Sequence, residues 1–227
     1  HFQSPDFRGI DNAFLYNPKY FKLKDSKALP VLLKMPDGEE RTTRDVLWVF
    51  GEYLGEPMHF FVNHWPSRRG GEQASAPHRA NAAGVARAFI DSLQAADPNA
   101  KIILMGDLND DPISPSVALI MKAKEKLKDV DANDFYNPWH DFYKKGIGTL
   151  AYRDAWNLFD QVLVSKSLTD KKQDGFFLQK PVIFSRDYLI QKSGRYKGYP
   201  YRTYDYNIFM NGYSDHFPVY VVLLRKK

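Results

Sequence analysis

Apolar residues fall into short runs separated by polar, Pro- and Gly-rich segments, which is a strand-dominated pattern. Gly9 to Tyr16 alternates enough to predict a strand, ended by Asn17-Pro18. Val31 to Lys34 predicts a second, short extended run. Arg44 to Leu54 (RDVLWVFGEYL) is rich in aromatic and β-branched residues. It predicts a strand that turns at Gly55-Glu56-Pro57 into a buried partner, Met58 to Asn63. His64 to Pro77 is polar and Gly-rich and is expected to be irregular. Val85, Ala86, Phe89, Ile90 and Leu93 then recur at helical spacing, predicting a helix over His78 to Ala96 that Asp97-Pro98 stops.

Lys101 to Met105 (KIILM) predicts a central strand, followed by a loop from Gly106 to Pro115. A helix is expected from Ser116 to about Leu127, and a loop from Asp129 to Gly148. Trp156 to Val164 (WNLFDQVLV) predicts one more strand, and Phe176 to Phe184 an extended run before a short helix at Ser185 to Ile190. Lys192 to Gly212, rich in Tyr and Gly, is expected to be loop, and Pro218 to Leu224 a last buried strand. Strands with a helix between them define an α/β chain with mixed sheets. No linker or repeat interrupts it, so residues 1–227 are expected to form one domain.

Composition narrows the chemistry. The chain has 227 residues, 44% of them hydrophobic and 26% charged, as in an ordinary globular protein rather than a disordered, collagen-like or coiled-coil one. There is no cysteine, which excludes disulfides, thiolate catalysis, cysteine-ligated zinc and iron–sulfur clusters. No apolar run reaches the roughly 20 residues of a membrane-spanning helix. A soluble chain is expected, with a periplasmic or secreted location favoured over a cytoplasmic one. The net charge of +5 is uneven. Residues 1–110 hold 13 Lys and Arg against 14 Asp and Glu, and residues 111–227 hold 19 against 13. A basic half can attract phosphate-bearing partners. The favoured reading is a solvated lysine surface (Lys122, Lys124, Lys126, Lys128), because no arginine cluster interleaved with aromatics stands out along the chain.

Candidate chemistry sits at the ends of apolar strands. Asn63-His64-Trp65-Pro66-Ser67-Arg68 follows the MHFFV run, Gly106-Asp107-Leu108-Asn109 follows KIILM, and Ser214-Asp215-His216-Phe217-Pro218 precedes PVYVVLL. A further carboxylate, Asp160, lies inside an apolar strand, where burial is costly without a partner. Singly, each segment is as easily a turn, a cap or a surface feature.

In this order, GDLN, a strand with an internal Asp and SDHFPV resemble the endonuclease/exonuclease/phosphatase superfamily of DNase-like phosphoesterases. Arg8-Gly9-Ile10-Asp11 with Phe14-Leu15-Tyr16, and NHWPSR, are similar to its bacterial members. The resemblance covers Arg8 to the C-terminus. It implies a four-layer α/β/β/α sandwich of two mixed sheets, and hydrolysis of a phosphate ester by in-line attack of water. The implied cofactor is Mg²⁺, with Mn²⁺ or Ca²⁺ as alternatives. By the same resemblance, Asp107 positions or deprotonates the water and Asn109 orients phosphate or water. His216 binds the phosphoryl oxygens, Asp160 orients His216, and His64 assists the leaving oxygen. Asp215 is the implied metal ligand, with Asp107 a second candidate. Arg68 and Arg79 are phosphate-binding candidates; a solvated loop, or a salt bridge at a helix start for Arg79, is the alternative. Arg8 either points into the site or flanks a strand.

The resemblance also implies an asparagine and a main metal-binding glutamate ahead of Arg8, and neither stands there. The expectation is therefore a family member without its first strands, with weak Mg²⁺ affinity, low activity and an exposed sheet edge. Those strands would come from a missing N-terminal segment or a swapped partner chain. The implied substrate is a phosphate ester, with nucleic acid as one class. A phosphodiesterase or nuclease is favoured over a phosphomonoesterase or lipid phosphodiesterase, and over a non-catalytic scaffold of the same fold.

Overall fold

The computed structural model describes residues 1–35 and 37–226. Its strands and helices in chain order are β1 (Phe21–Leu29), β2 (Leu32–Lys34), β3 (Glu40–Thr42), β4 (Val46–Tyr53), β5 (Glu56–His64), α1 (Glu72–Ala96), β6 (Ile102–Asp107), β7 (Ala123–Lys124) and β8 (Phe135–Tyr136). These are followed by α2 (His140–Lys144), β9 (Leu150–Tyr152), β10 (Ala155–Asn157), β11 (Asp160–Ser165), β12 (Gly175–Ile183), β13 (Tyr204–Asp205), β14 (Ile208–Phe209) and β15 (Val219–Lys226).

A seven-stranded mixed sheet runs in the order β1-β4-β5-β6-β11-β8-β7. Only β5–β6 and β7–β8 pair in parallel. The parallel β5–β6 step needs a crossover, and α1 supplies it. Ala82, Ala83, Ala86 and Ile90 of α1 pack on one face of this sheet, against Trp48, Phe61, Ile102 and Leu104. On the opposite face Met58, Ile103, Val162 and Val164 meet Phe176, Leu178, Val219, Val221 and Leu223 of a second sheet. That second sheet consists of β12 and β15 alone, paired antiparallel. The described residues thus show three layers, α/β/β. The expected fourth layer is not among them, and the second sheet is antiparallel rather than mixed. Tyr220 and Leu224 on the outer face of β15 stand 44% and 45% exposed, so this strand is less buried than its apolar sequence predicts. Its edge away from β12 has no strand partner among the described residues.

Several departures from the sequence reading have local causes. Gly9–Tyr16 forms no strand. The Asp6 carboxylate accepts the N–H groups of Arg8 and Ile10, which folds the chain into a turn instead. The edge strand β1 was hidden by its lysines, the residues that protect an exposed edge. Leu54 and Gly55, both with positive φ, form the β4–β5 turn one residue earlier than predicted.

Helix α1 starts six residues before the predicted His78 and runs through Pro77. Proline removes one hydrogen bond of the first turns. Side chains reinforce the turn before it: Ser75 Oγ donates to Gly71 O, and Arg79 Nη2 donates to Glu72 O. The helix expected from Ser116 to Leu127 is one wide turn, Ser116–Ile120, ended by Lys122 in the left-handed region. The predicted Trp156–Val164 strand breaks at Leu158-Phe159, where Leu158 N–H leaves the sheet for the Asp111 carboxylate at 2.8 Å.

One carboxylate ties both sheets together. Glu56, at the start of β5, hydrogen-bonds the Lys101 ammonium, accepts Phe176 N–H at 3.1 Å and pairs with Arg225 Nε at 2.8 Å. Burial works to raise its pKa, but the Lys101 hydrogen bond and the other donors outweigh this and hold it below the usual value. A depressed folded pKa contributes stability that is complete above the ordinary carboxylate range and is lost as pH falls through the folded value. Glu56→Gln should therefore lower unfolding free energy by about 1–3 kcal/mol at neutral pH. The gap should close as pH falls below the ordinary carboxylate range in urea titrations.

Candidate functional site

Strand register assembles the site. β5 and β6 pair His64 with Asp107, and β6 and β11 pair Asp107 with Asp160. Three side chains from distant parts of the chain therefore stand in one row at the same end of adjacent strands. Gly106 permits the approach. Its φ is 135°, and an added Cβ would lie 1.8 Å from the Asn63 carbonyl oxygen. The chain then turns sharply: Asp107 Oδ1 accepts Asn109 N–H at 2.9 Å, with Asn109 left-handed at φ 50°.

His216 reaches this row from the loop before β15. Its Nδ1 lies 2.7 Å from Asp160 Oδ2. This is the partner that a carboxylate within an apolar strand requires. Burial works to lower the pKa of His216, but the hydrogen bond and charge of Asp160, with Asp107 and Asp215 beyond, push it up to about 9. At neutral pH His216 is therefore an imidazolium, with Nδ1–H on Asp160 and Nε2–H left to donate. Asp107 goes the other way. Burial first, and the Asp160 charge next, push its carboxyl up to about 6 despite His216. His64 is lowered to about 4 by burial and by the neighbouring Arg44, Arg8 and His216, so it is neutral. Its Nε2 stands 3.6 Å from Asp107 Oδ2, beyond a hydrogen bond.

The structure thus brings His64, Asp107, Asp160 and His216 together. Asn109 sits beside them, 7% exposed, and donates its amide to the Trp65 carbonyl at 3.0 Å, locking two of the catalytic-type loops to each other. Asp215, the expected metal ligand, is exposed beside His216 and is not among the three donors that gather closest. Donor atoms of Asp107, Asp160 and His216 lie within 4.8 Å of one another. With His216 protonated, the available donors are carboxylate oxygens, the hard type that Mg²⁺ takes alongside waters and phosphate. The crowding that raises the Asp107 pKa is what a cation would relieve.

Two arginine expectations are corrected. Arg79 is fully buried and pairs with Asp110 at 2.7 Å, so it cannot meet a substrate. Arg68 spreads its guanidinium over Glu72, Asp110 and Asp111 and lies 4.4 Å from the Phe159 ring centroid. Both hold the loop after Asn109 to the start of α1. The Asp110-Asp111 pair directly after GDLN was the signal, since a buried arginine and a half-buried one need counter-charges. Trp65 and Trp139 are core residues, as packing would have them.

Sequence reasoning missed Arg44. It is 5% exposed, donates to the carbonyls of His64 and Trp65, and pairs with Asp6 at 3.2 Å. It holds the backbone that carries His64, and Asp6 in turn ties the N-terminal segment to the site.

A catalytic-type row at the strand ends of a mixed sheet, faced by a charged histidine, defines a phosphoesterase-type hydrolase of the α/β class. The chain belongs to the Endonuclease/Exonuclease/phosphatase family, whose model matches residues 1–226. Among curated proteins none matches it. Solved structures share the fold at low identity. A conserved protein of unknown function from Enterococcus faecalis is 16% identical with a TM-score of 0.55, over 93% of this chain and 69% of that one. A Bacteroides thetaiotaomicron mannosyl-6-phosphatase is 18% identical with a TM-score of 0.53, over 92% and 69%. D. rerio TDP2, complexed with a single-strand DNA product, is 13% identical with a TM-score of 0.53, over 91% and 69%.

Two measurements check the electrostatics. In metal-free protein, NMR titration should place the His216 imidazole near pH 9, and Asp160→Asn should return it toward the ordinary value of about 6.5. The raised pKa stabilises the fold fully below about pH 6.5, and that contribution fades as pH rises through about 9. Arg44→Ala should cost roughly 3 kcal/mol in denaturant unfolding, because buried Asp6 loses its 3.2 Å guanidinium partner and the His64 and Trp65 carbonyls lose their donors.

Proposed function

We propose that this protein hydrolyses phosphodiesters by in-line attack of water, in a magnesium-assisted reaction of the nuclease or phosphodiesterase type. The observation that carries this reading is the Asp160–His216 pair standing beside Asp107 of the adjacent strand. It sets a fixed positive hydrogen-bond donor opposite a carboxylate whose pKa lies close to neutral.

Asp107 takes the proton of the attacking water as the new O–P bond forms. His216 donates Nε2–H to the phosphoryl oxygens as negative charge develops, and Asp160 keeps the ring in that tautomer. The bond from phosphorus to the leaving oxygen breaks as this happens; the oxygen departs as an anion that neutral His64 stabilises through a hydrogen bond and that takes its proton from solvent. Asn109 and Arg44 keep the loops bearing these groups in place. Asp107 and Asp160 are the residues that would hold Mg²⁺, which supplies Lewis-acid stabilisation of the phosphate charge. Two carboxylates form a sparse donor set, which supports weak metal affinity.

The expected result is Mg²⁺-dependent release of p-nitrophenol from bis(p-nitrophenyl) phosphate, exceeding release from the monoester. Asp107→Asn and His216→Ala should each lose about a hundredfold or more of the rate. Full activity in both variants would overturn the reading.

A further inference from the structure

A second polar cleft adjoins the site. It lies between the β9–β10 hairpin and residues 195–206 and has a volume of about 480 Å³. Arg153 is at the hairpin tip, where it and Asp154 both have positive φ. Arg195 and Arg202 come from the Tyr-rich segment, some forty residues further along the chain. The arginine cluster interleaved with aromatics that the linear sequence did not display is therefore assembled by folding.

Each guanidinium lies against a ring: Arg153 is 5.2 Å from the Tyr152 centroid, and Arg195 and Arg202 are 5.5 Å and 4.8 Å from that of Tyr196. Arg153 and Arg195 are exposed and form no ion pair among the described residues. Arg202 approaches Asp205 only to 3.8 Å, and its Nε is buried without a hydrogen-bond partner. Asp154, the other carboxylate here, accepts a hydrogen bond from the Tyr199 hydroxyl. Three arginines thus line the cleft with two carboxylates, Asp154 and Asp205, and the exposed Arg153 and Arg195 are the ones left without an ion pair among the described residues. Tyr206 and Tyr152 offer rings that are 93% and 63% exposed.

The cleft is coupled to the catalytic cluster by contact. Thr149, directly before β9, accepts Asp160 N–H through Oγ1 and Phe217 N–H through its carbonyl at 2.7 Å. Trp156 of β10 stacks on Phe217, beside His216, with centroids 6.1 Å apart, and its ring also meets Tyr199, which lines the cleft.

We propose that this cleft is a binding subsite for single-stranded nucleic acid whose scissile phosphodiester lies at the Asp107–His216 cluster. The arginines take backbone phosphates, and Tyr152 and Tyr206 stack unpaired bases. Alternating guanidinium and flat rings match a chain that presents both charge and exposed π-faces. A duplex offers its charge but hides its bases. The assignment rests on the phosphodiester reading above.

The test is fluorescence anisotropy with a labelled single-stranded DNA of about 15 nucleotides, in EDTA to prevent cleavage, over a salt series. Arg153→Glu/Arg195→Glu should weaken binding about tenfold or more and flatten the salt slope by about one to two. Tyr206→Ala should weaken it about tenfold with the slope unchanged. Lys126→Glu/Lys128→Glu, an equal charge change elsewhere, should bind as wild type, and duplex DNA of the same length should bind more weakly. All variants should keep wild-type unfolding curves and wild-type hydrolysis of bis(p-nitrophenyl) phosphate. Equal losses in the lysine control, duplex binding as tight as single-strand binding, or unchanged affinity in the arginine variant would each overturn the subsite. If no variant or wild type hydrolyses the small diester while binding keeps its arginine and tyrosine dependence, the phosphodiester reading fails and the subsite stands.

Discussion

The site depends on the register of one strand. β6 lies between a parallel neighbour, β5, and an antiparallel one, β11, so Asp107 faces His64 on one side and Asp160 on the other. A slip of one residue would turn Asp107 to the opposite face and leave Leu104 and Ile103 with exchanged environments. Both faces of this strand are packed, one against α1 and one against β12 and β15, so the apolar positions hold the register. Gly106 lets the strand keep that register to its end, where any side chain would collide with Asn63.

From this row outward, each charged group sets the state of the next. Asp107 and Asp160 repel, and His216 resolves the conflict by taking a proton and pairing with Asp160. The positive charge of Arg44 helps keep His64 neutral. Behind them, Asp110 and Asp111 neutralise Arg68 and Arg79 under the loop that follows Asn109. Buried like charges would destabilise such a cluster. Alternating signs let a polar site sit at the rim of an apolar core. The result is a carboxylate, a charged histidine and a neutral histidine close together, each in the state that the proposed hydrolysis would use.

Legibility followed the source of the signal. The β4–β5 hairpin, β6, the body of α1 and β15 were readable because hydrophobic burial imposes a period on the chain. β1 was not, since an edge strand is built from lysines for solubility. Gly9–Tyr16 misled because alternation alone cannot report that the Asp6 carboxylate captures the local N–H groups. Among site residues, Asp107, Asp160, His216, His64 and Asn109 were visible from short motifs. Arg44 and Asp6 carried no motif, because their work is to hold carbonyls and each other, and any buried ion pair in a sequence looks like two surface charges.

The α/β class, the order of the main strands, the absence of thiol chemistry and the carboxylate, amide and histidine types at strand ends follow from the amino-acid sequence, because local periodicity and side-chain chemistry are properties of short segments. The pairing of His216 with Asp160 belongs to the tertiary structure, as do the burial of Arg79, the three-layer arrangement of the described residues and the arginine–tyrosine cleft. They join residues tens to more than fifty positions apart, and protonation state, burial and charge compensation are set by neighbours in space rather than along the chain.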